Sequence, residues 1–333
     1  MNEEDERNHR PSLSYSVSAF IGLVILLWIT WRSWRCGRKV SSQDRKNSDD
    51  FTKCSSPDCV RCWENGNHGS WTVKLDTFMA MQPSEGRERL EDLRLSFQSN
   101  IQERSAGQKG DLNQGSSRMQ NPTTFLYEKL RTPPWFALED IFDISLQSDI
   151  RLLENRAKDV REDFDRLYMQ YVGGDGAGWA TNNVPTGSWI VFHLWNQGRK
   201  IEENCGRCPR TVSILEQLES RMSGVSFGYA CFSVLRPGSH ITPHYGPCNL
   251  RIRCHLGLHI PERCSLTVAG ETRRWREGEC LLFDDSYLHE AENAGDGAVS
   301  SGSGPRAILM VDFWNPDLTI VEREALNYVF ASP

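Results

Sequence analysis

No basic run continues through the body of this 333-residue chain, and its formal net charge is −6. A nucleic-acid binder neutralises phosphates with clustered Lys and Arg, so that class of function is set aside. Asn-x-Ser/Thr sequons are also absent, since Asn121 is followed by Pro122; this fits a cytosolic domain and excludes nothing. Eleven cysteines are too few for a disulfide scaffold of this length. What remains is near the globular average, with 38% hydrophobic and 25% charged residues. The length allows one large domain or two small ones with tails.

Charge is missing altogether over the 21 residues from Pro11 to Trp31. Within them Ala19–Trp31 is apolar apart from Gly22 and Thr30. A helix of about 20 residues crosses a hydrocarbon core of about 30 Å, and Trp28, Trp31 and Trp34 stand at one end, where indoles favour the interface. The segment 12–31 is therefore expected to be a transmembrane helix that binds the lipid bilayer. A cleaved signal peptide fits less well. The leader is acidic (Glu3, Glu4, Asp5, Glu6), and no small-residue cleavage site lies in Trp31–Arg38. Six Lys/Arg follow the span (Arg32, Arg35, Arg38, Lys39, Arg45, Lys46) and two precede it (Arg7, Arg10). By the positive-inside rule that count places the larger part in the cytosol.

The remaining organisation follows from periodicity. After a tail at 1–11 and the span, residues 32–84 read as a linker with a cysteine cluster, CSSPDCVRC at 54–62. Residues 85–184 read as packing helices and loops. Leu90, Leu93, Phe97 and Ile101 predict a helix over 85–103, and 104–122 reads as a mobile loop. A stripe of Ile150, Leu153, Ala157, Val160, Phe164, Leu167 and Tyr171 predicts one helix over about 147–171 that packs on a sheet. From 185 onward short strands are expected at 188–195, 227–235, 251–260, 264–269, 279–284 and 306–314. A flexible loop at 292–305 and a helix near 318–330 complete the chain. The fold class is mainly β, a double-stranded β-helix (jelly roll) core with flanking helices, plus the N-terminal transmembrane helix.

Two strands carry unexpected polarity. In Arg251–Ile260, alternation puts Ile252, Cys254, Leu256, Leu258 and Ile260 on one face and Arg251, Arg253, His255, Gly257 and His259 on the other. Such a polar face is usually solvated; a polar cavity inside a barrel competes with that reading. Arg306 opens a strand whose same-face neighbours include Ile308 and Met310. It is either exposed at the strand end or buried with an anionic partner, because a buried unpaired guanidinium is costly. His244 and His289 are 45 residues apart, and Arg306 follows 17 further on. Two imidazoles suit a metal such as iron that keeps open coordination positions. Position 246, where a facial triad would carry a carboxylate, is Gly. Asp284 or Asp285 is the nearest substitute.

Residues 233–260 (SVLRPGSHITPHYGPCNLRIRCHLGLHI), 275–290 (WREGECLLFDDSYLHE) and 306–316 (RAILMVDFWNP) resemble the aspartyl/asparaginyl β-hydroxylase family. The nearest likeness is to its small membrane-anchored, aspartate β-hydroxylase domain-containing members, which share a cluster like CSSPDCVRC. The resemblance implies a dioxygenase domain over 185–333 that uses Fe(II) and 2-oxoglutarate to hydroxylate Asp or Asn side chains of protein or peptide substrates. It implies iron binding by His244 and His289, and a pairing of Arg306 with the distal carboxylate of 2-oxoglutarate. Trp189, Ser233, Arg253 and His255 match positions around the co-substrate, whereas His240 and His259 match none. The family lacks the third carboxylate, so Gly246 agrees with its pattern. Its type II topology implies a lumenal domain in the endomembrane system, against the charge count.

Cys59 and Cys62, with Cys205 and Cys208, form two CxxC pairs that together make a candidate four-cysteine zinc site. Disulfides and free thiols are the competing readings. Two other functions stand beside the hydroxylase: an inactive membrane-tethered binding module, and a hydroxylase of a lipid or small molecule. Retention of His244, His289 and Arg306 favours an enzyme.

Overall fold

The computed structural model describes residues 68–105, 118–130, 132–295 and 304–332. The expected membrane span at 12–31 lies outside them, as do Cys59 and Cys62; among the described residues no helix is long and apolar enough to cross a bilayer.

Helices come first along the chain: α1 (His68–Met81), α2 (Ser84–Arg89) and α3 (Glu91–Ser105). The helix expected over 85–103 is thus divided at Leu90. β1 (Trp135–Phe136) precedes α4 (Ile144–Asn155), which starts where Asp143 accepts a bond from the Leu146 amide at 2.9 Å. α5 (Ala157–Val172) continues the same apolar stripe after Arg156, whose φ and ψ of −106° and 11° leave the helical region. Sequence periodicity predicts one helix here because the stripe is unbroken.

Then come β2 (Trp179–Asn182), β3 (Trp189–Asn196), β4 (Arg199–Lys200), α6 (Glu202–Gly206) and α7 (Pro209–Leu215). The core strands are β5 (Ala230–Leu235), β6 (Ser239–His244), β7 (Arg251–His259), β8 (Cys264–Val268), β9 (Glu271–Arg273), β10 (Cys280–Phe283), β11 (His289–Asn293) and β12 (Arg306–Trp314). α8 (Ile320–Val329) ends the described chain, with Thr319 and Glu322 closing a reciprocal capping box. Because α4 packs on β10 and α5 on β7, the stripe serves two strands, and Arg156 takes up the change.

The strands form two antiparallel sheets. The larger runs β1-β10-β7-β12-β5-β3-β2, with β4 on β3, and the smaller runs β6-β11-β8-β9. From β5 to β12 the chain alternates between them, with β5, β7, β10 and β12 in one and β6, β8, β9 and β11 in the other. That alternation is the jelly-roll arrangement expected from sequence. The segment 85–184, read as helices and loops, also supplies two strands, because β1 pairs with β10 and β2 with β3.

Strand alternation decides what each face does. Ile252, Cys254, Leu256 and Leu258 of β7 and Ala307, Leu309, Val311 and Phe313 of β12 share one buried cluster with Ile150, Leu153, Val160, Phe164 and Leu167 of α4 and α5. The opposite face meets a second cluster that includes Leu266, Val268, Trp275, Phe283 and Ile308. Arg251, Arg253 and His255 of β7 therefore turn inward rather than to solvent, with Arg251 and His255 only 1% and 8% exposed, whereas His259 turns to Asp165 of α5.

Cys205 and Cys208 belong to the first cluster. The Cys205 thiol donates to the Leu194 carbonyl at 3.3 Å, and burial pushes the two thiols up to about 11 and about 12. Zinc requires thiolates, so these side chains read as core packing in place of half a zinc site. Among the described residues no group of three or more metal-binding side chains assembles. The loop expected at 292–305 begins later than predicted, since β11 extends to Asn293.

Candidate active site

The two histidines meet through strand register. His244 ends β6 and His289 begins β11, and they are direct antiparallel partners with a β-bulge between His289 and Ala291. Their ring centroids are 4.1 Å apart. His244 Nδ1 lies 2.8 Å from the Thr242 carbonyl and His289 Nδ1 2.9 Å from the Tyr287 carbonyl. A carbonyl only accepts, so each Nδ1 carries the proton and each Nε2 keeps a lone pair for a metal. Burial lowers the pKa of both rings, that of His289 to about 3 with His244 as a further cause. Both are neutral at ordinary pH, which is the ligating form.

Gly246 admits no carboxylate. A Cβ there would lie 2.5 Å from the Asp285 carboxyl carbon. Neither aspartate is free to substitute. Asp284 accepts from Thr132, from Gln120 at 2.7 Å and from the Ser286 amide at 2.8 Å. Asp285 faces Arg251, whose Nε and Nη2 reach it at 3.1 and 2.5 Å, and Arg253, whose Nη1 reaches it at 3.0 Å. Burial alone would raise the Asp285 pKa, but Arg251 and Arg253 outweigh it and hold the carboxyl well below the usual range. Asp312 completes a closed quartet, bonded by Arg251 at 3.0 Å and by Arg253 at 2.8 and 3.0 Å. Arg253, expected beside a co-substrate, thus has its guanidinium engaged by both aspartates. The quartet was not foreseen, although Arg251 and Arg253 share one predicted strand face and Arg306 and Asp312 another.

Arg306 has a different setting. It is 1% exposed, and its nearest hydrogen-bond partner is the Ser233 hydroxyl, 3.5 Å from Nη1. Its Nε has no partner among the described residues. Burial brings its pKa down to about 10. The Ser233 hydroxyl also accepts from the Trp189 indole at 3.0 Å; Trp189 of β3 and Arg306 of β12 both lie opposite Leu235, two residues along β5 from Ser233. His255 completes the set. Its Nδ1 accepts from the Trp275 indole at 3.2 Å, and its Nε2 is buried without a partner among the described residues. Burial, then the charges of Arg306 and Arg253, push its pKa well down.

An unsatisfied buried polar group costs about 1–3 kcal/mol, more when charged. Two orphaned donors, Arg306 Nε and the neutral His255 Nε2–H, therefore fit a ligand that only accepts, such as a carboxylate. Sequence reasoning named every residue of this group except Trp275, which opens the segment WREGECLLFDD. His240 and His259 bind Glu290 at 2.7 Å and Asp165 at 2.5 Å and take no part.

The family model for aspartyl/asparaginyl β-hydroxylase matches residues 151–316, which contain both histidines and Arg306. Aspartate β-hydroxylase domain-containing protein 2 of Xenopus tropicalis is 35% identical over 97% of this chain and 85% of its own length. The Homo sapiens protein of the same name is 37% identical over 84% of this chain and 71% of its own. Mouse aspartyl/asparaginyl β-hydroxylase is 37% identical, but the match covers 59% of this chain and 25% of that protein. A solved Pseudomonas putida prolyl-4-hydroxylase, at 13% identity over 48% of this chain and 88% of its own, has a TM-score of 0.31, too slight a likeness to argue from. With identity of this order along most of its length, and the three motifs gathered at one place in the fold, the chain belongs to the aspartyl/asparaginyl β-hydroxylase family.

Proposed function

We propose that this chain is an Fe(II)- and 2-oxoglutarate-dependent dioxygenase that hydroxylates Asp or Asn side chains of a protein or peptide. One observation carries the reading: buried, unpartnered donors on Arg306 and His255 accompany a cross-strand histidine pair whose Nε2 atoms are unprotonated. When bound, Fe(II) with 2-oxoglutarate and oxygen supplies the oxidising chemistry and releases succinate and carbon dioxide.

The residues of the chain would hold and aim these groups. His244 and His289 ligate the iron through Nε2, with Thr242 and Tyr287 carbonyls fixing each ring. Arg306 grips a carboxylate of the co-substrate, and Ser233, which accepts from the Trp189 indole, donates its own hydroxyl proton to the same ligand. His255 donates to the same ligand, while Arg253 keeps Asp285 and Asp312 in place beside it. Two protein ligands leave more coordination positions open than a full triad would, so iron is expected to bind more weakly than in such a site.

The test is succinate formation by the full chain supplied with Fe(II), 2-oxoglutarate and peptides containing Asp or Asn. Turnover is expected in the wild type and none in His244→Ala or His289→Ala. Full turnover in either variant removes the iron assignment. Tight 2-oxoglutarate binding without turnover on any substrate favours the binding-module reading instead.

A further inference from the structure

Trp275 lies in the segment between β9 and β10, 3% exposed, and touches two of the site's donors at once. Its indole Nε1 is 3.2 Å from His255 Nδ1, with the two ring planes 25° apart. Its ring also lies beneath the Arg306 guanidinium, 4.9 Å from centroid to Cζ. Gly257 allows the segment to come so near β7, because a Cβ there would meet the Arg276 carbonyl at 2.1 Å.

We infer that Trp275 is a positioning residue that sets the tautomer of His255 and so makes it a donor to an acceptor-only co-substrate such as 2-oxoglutarate. An indole N–H donates and never accepts, so the facing Nδ1 must be bare. A neutral imidazole has one proton, which is left on Nε2, the atom without a partner. With the opposite tautomer two N–H groups would face each other at His255, and Nε2 would present a lone pair to a carboxylate. The indole ring meanwhile offers Arg306 its negative face, which holds the guanidinium in position while leaving its Nε open for the ligand. The inference rests on the proposed co-substrate site for its consequence, but the tautomer itself is independent of any ligand.

The experiment uses the metal-free full chain labelled with 15N-histidine, with His255→Gln identifying the His255 signals. In the wild type His255 is expected to be protonated at Nε2 and bare at Nδ1. Trp275→Phe keeps a ring under Arg306 and removes the N–H, so its His255 is expected to populate both tautomers. With Mn(II) present, Kd for 2-oxoglutarate is expected to rise roughly tenfold in this variant, about 1.4 kcal/mol, while Mn(II) affinity is unchanged. In a His255→Gln background, Trp275→Phe is expected to have little further effect on that Kd.

A wild-type His255 protonated at Nδ1 overturns the inference, and that spectrum decides the matter even if the variant fails to fold. An unchanged tautomer in Trp275→Phe also overturns it, as does a full tenfold loss in the His255→Gln background. If the wild type shows the expected tautomer and binds no 2-oxoglutarate, the proposed co-substrate fails while the role of Trp275 stands.

Discussion

Arg251 and Arg306 are both 1% exposed, yet their surroundings are opposite. Arg251 is bound by Asp285, Asp312 and the Phe227 carbonyl, and its pKa moves up because the two carboxylates outweigh burial. Among the described residues Arg306 has one long hydrogen-bond contact, to Ser233, and a pKa that moves down to about 10 through burial. A guanidinium that is fully paired holds strands together. One that is buried and unpaired weakens the folded protein and persists where a ligand supplies the missing charge. On the proposed function, the difference separates the part of this barrel that is structural from the part that binds.

Removing each arginine should expose that division. Arg251→Met leaves Asp285 and Asp312 to share Arg253, and breaking such a buried network typically costs about 3–5 kcal/mol. We expect the lower end of that range in urea denaturation, since Arg253 still reaches both carboxylates. Arg306→Met should leave stability unchanged or raise it, because an unpaired buried charge is exchanged for an apolar chain of similar length. The same variant should weaken 2-oxoglutarate binding by about 2–5 kcal/mol in a calorimetric titration, the usual effect of removing one side of a buried charge pair. A large loss of stability in Arg306→Met would erase the distinction.

The neighbouring carboxylates repeat the contrast with opposite charge. Asp285 has two guanidinium partners, whereas Thr132, Gln120 and the Ser286 amide, all neutral, donate to Asp284, and its pKa is raised to about 6 by burial despite bonds from Ser286 and Thr132. An unfolded Asp titrates near 3.9. Between about pH 4 and 6 the folded chain therefore keeps a proton on Asp284 that the unfolded chain has lost. Its contribution to stability is present below pH 4 and declines as pH rises through 6, by about 3 kcal/mol. For Asp285 the sign is reversed: its contribution is present above pH 4 and is lost as pH falls towards its depressed folded pKa. Denaturation curves at pH 4, 5, 6 and 7 should show the decline in wild type and not in Asp284→Asn. An identical slope in both would place the titrating group elsewhere.

Sequence alternation made the central strands legible, and with them the faces of Arg253, His255 and Arg306. The two strands that carry the histidines were not legible. Ser239–His244 contains Pro243 and Thr242, and His289–Asn293 reads HEAEN, so neither has the apolar alternation that marks a strand. They are strands because β6 and β11 are held by register in the small sheet, a tertiary effect. The division at Arg156 was equally hidden, since the buried stripe runs through it unchanged. Trp275 escaped notice because a lone indole between Arg274 and Arg276 belongs to no apolar alternation, and its role shows only once the partner of its N–H is known.

The smallest effect tests the link between the empty-handed arginine and the sheet around it. Ser233 is the hydroxyl shared by the Trp189 indole at 3.0 Å and Arg306 Nη1 at 3.5 Å. Ser233→Ala removes one good hydrogen bond, which contributes about 0.5–1.5 kcal/mol, and leaves the half-buried Trp189 N–H without its acceptor. Stability should fall by about 1 kcal/mol in urea denaturation. The 3.5 Å contact to Arg306 is too long to contribute much. If Ser233 only buttresses Trp189, 2-oxoglutarate affinity should be unchanged. If it donates to the ligand once the ligand is bound, affinity should fall about five- to tenfold, as loss of one hydrogen bond predicts. We expect the second result, because Arg306 is set by its place at the start of β12 and by the Trp275 ring, and does not depend on Ser233 for its position. Calorimetry on Ser233→Ala, with Ser233→Thr as the variant that keeps the hydroxyl, decides between them.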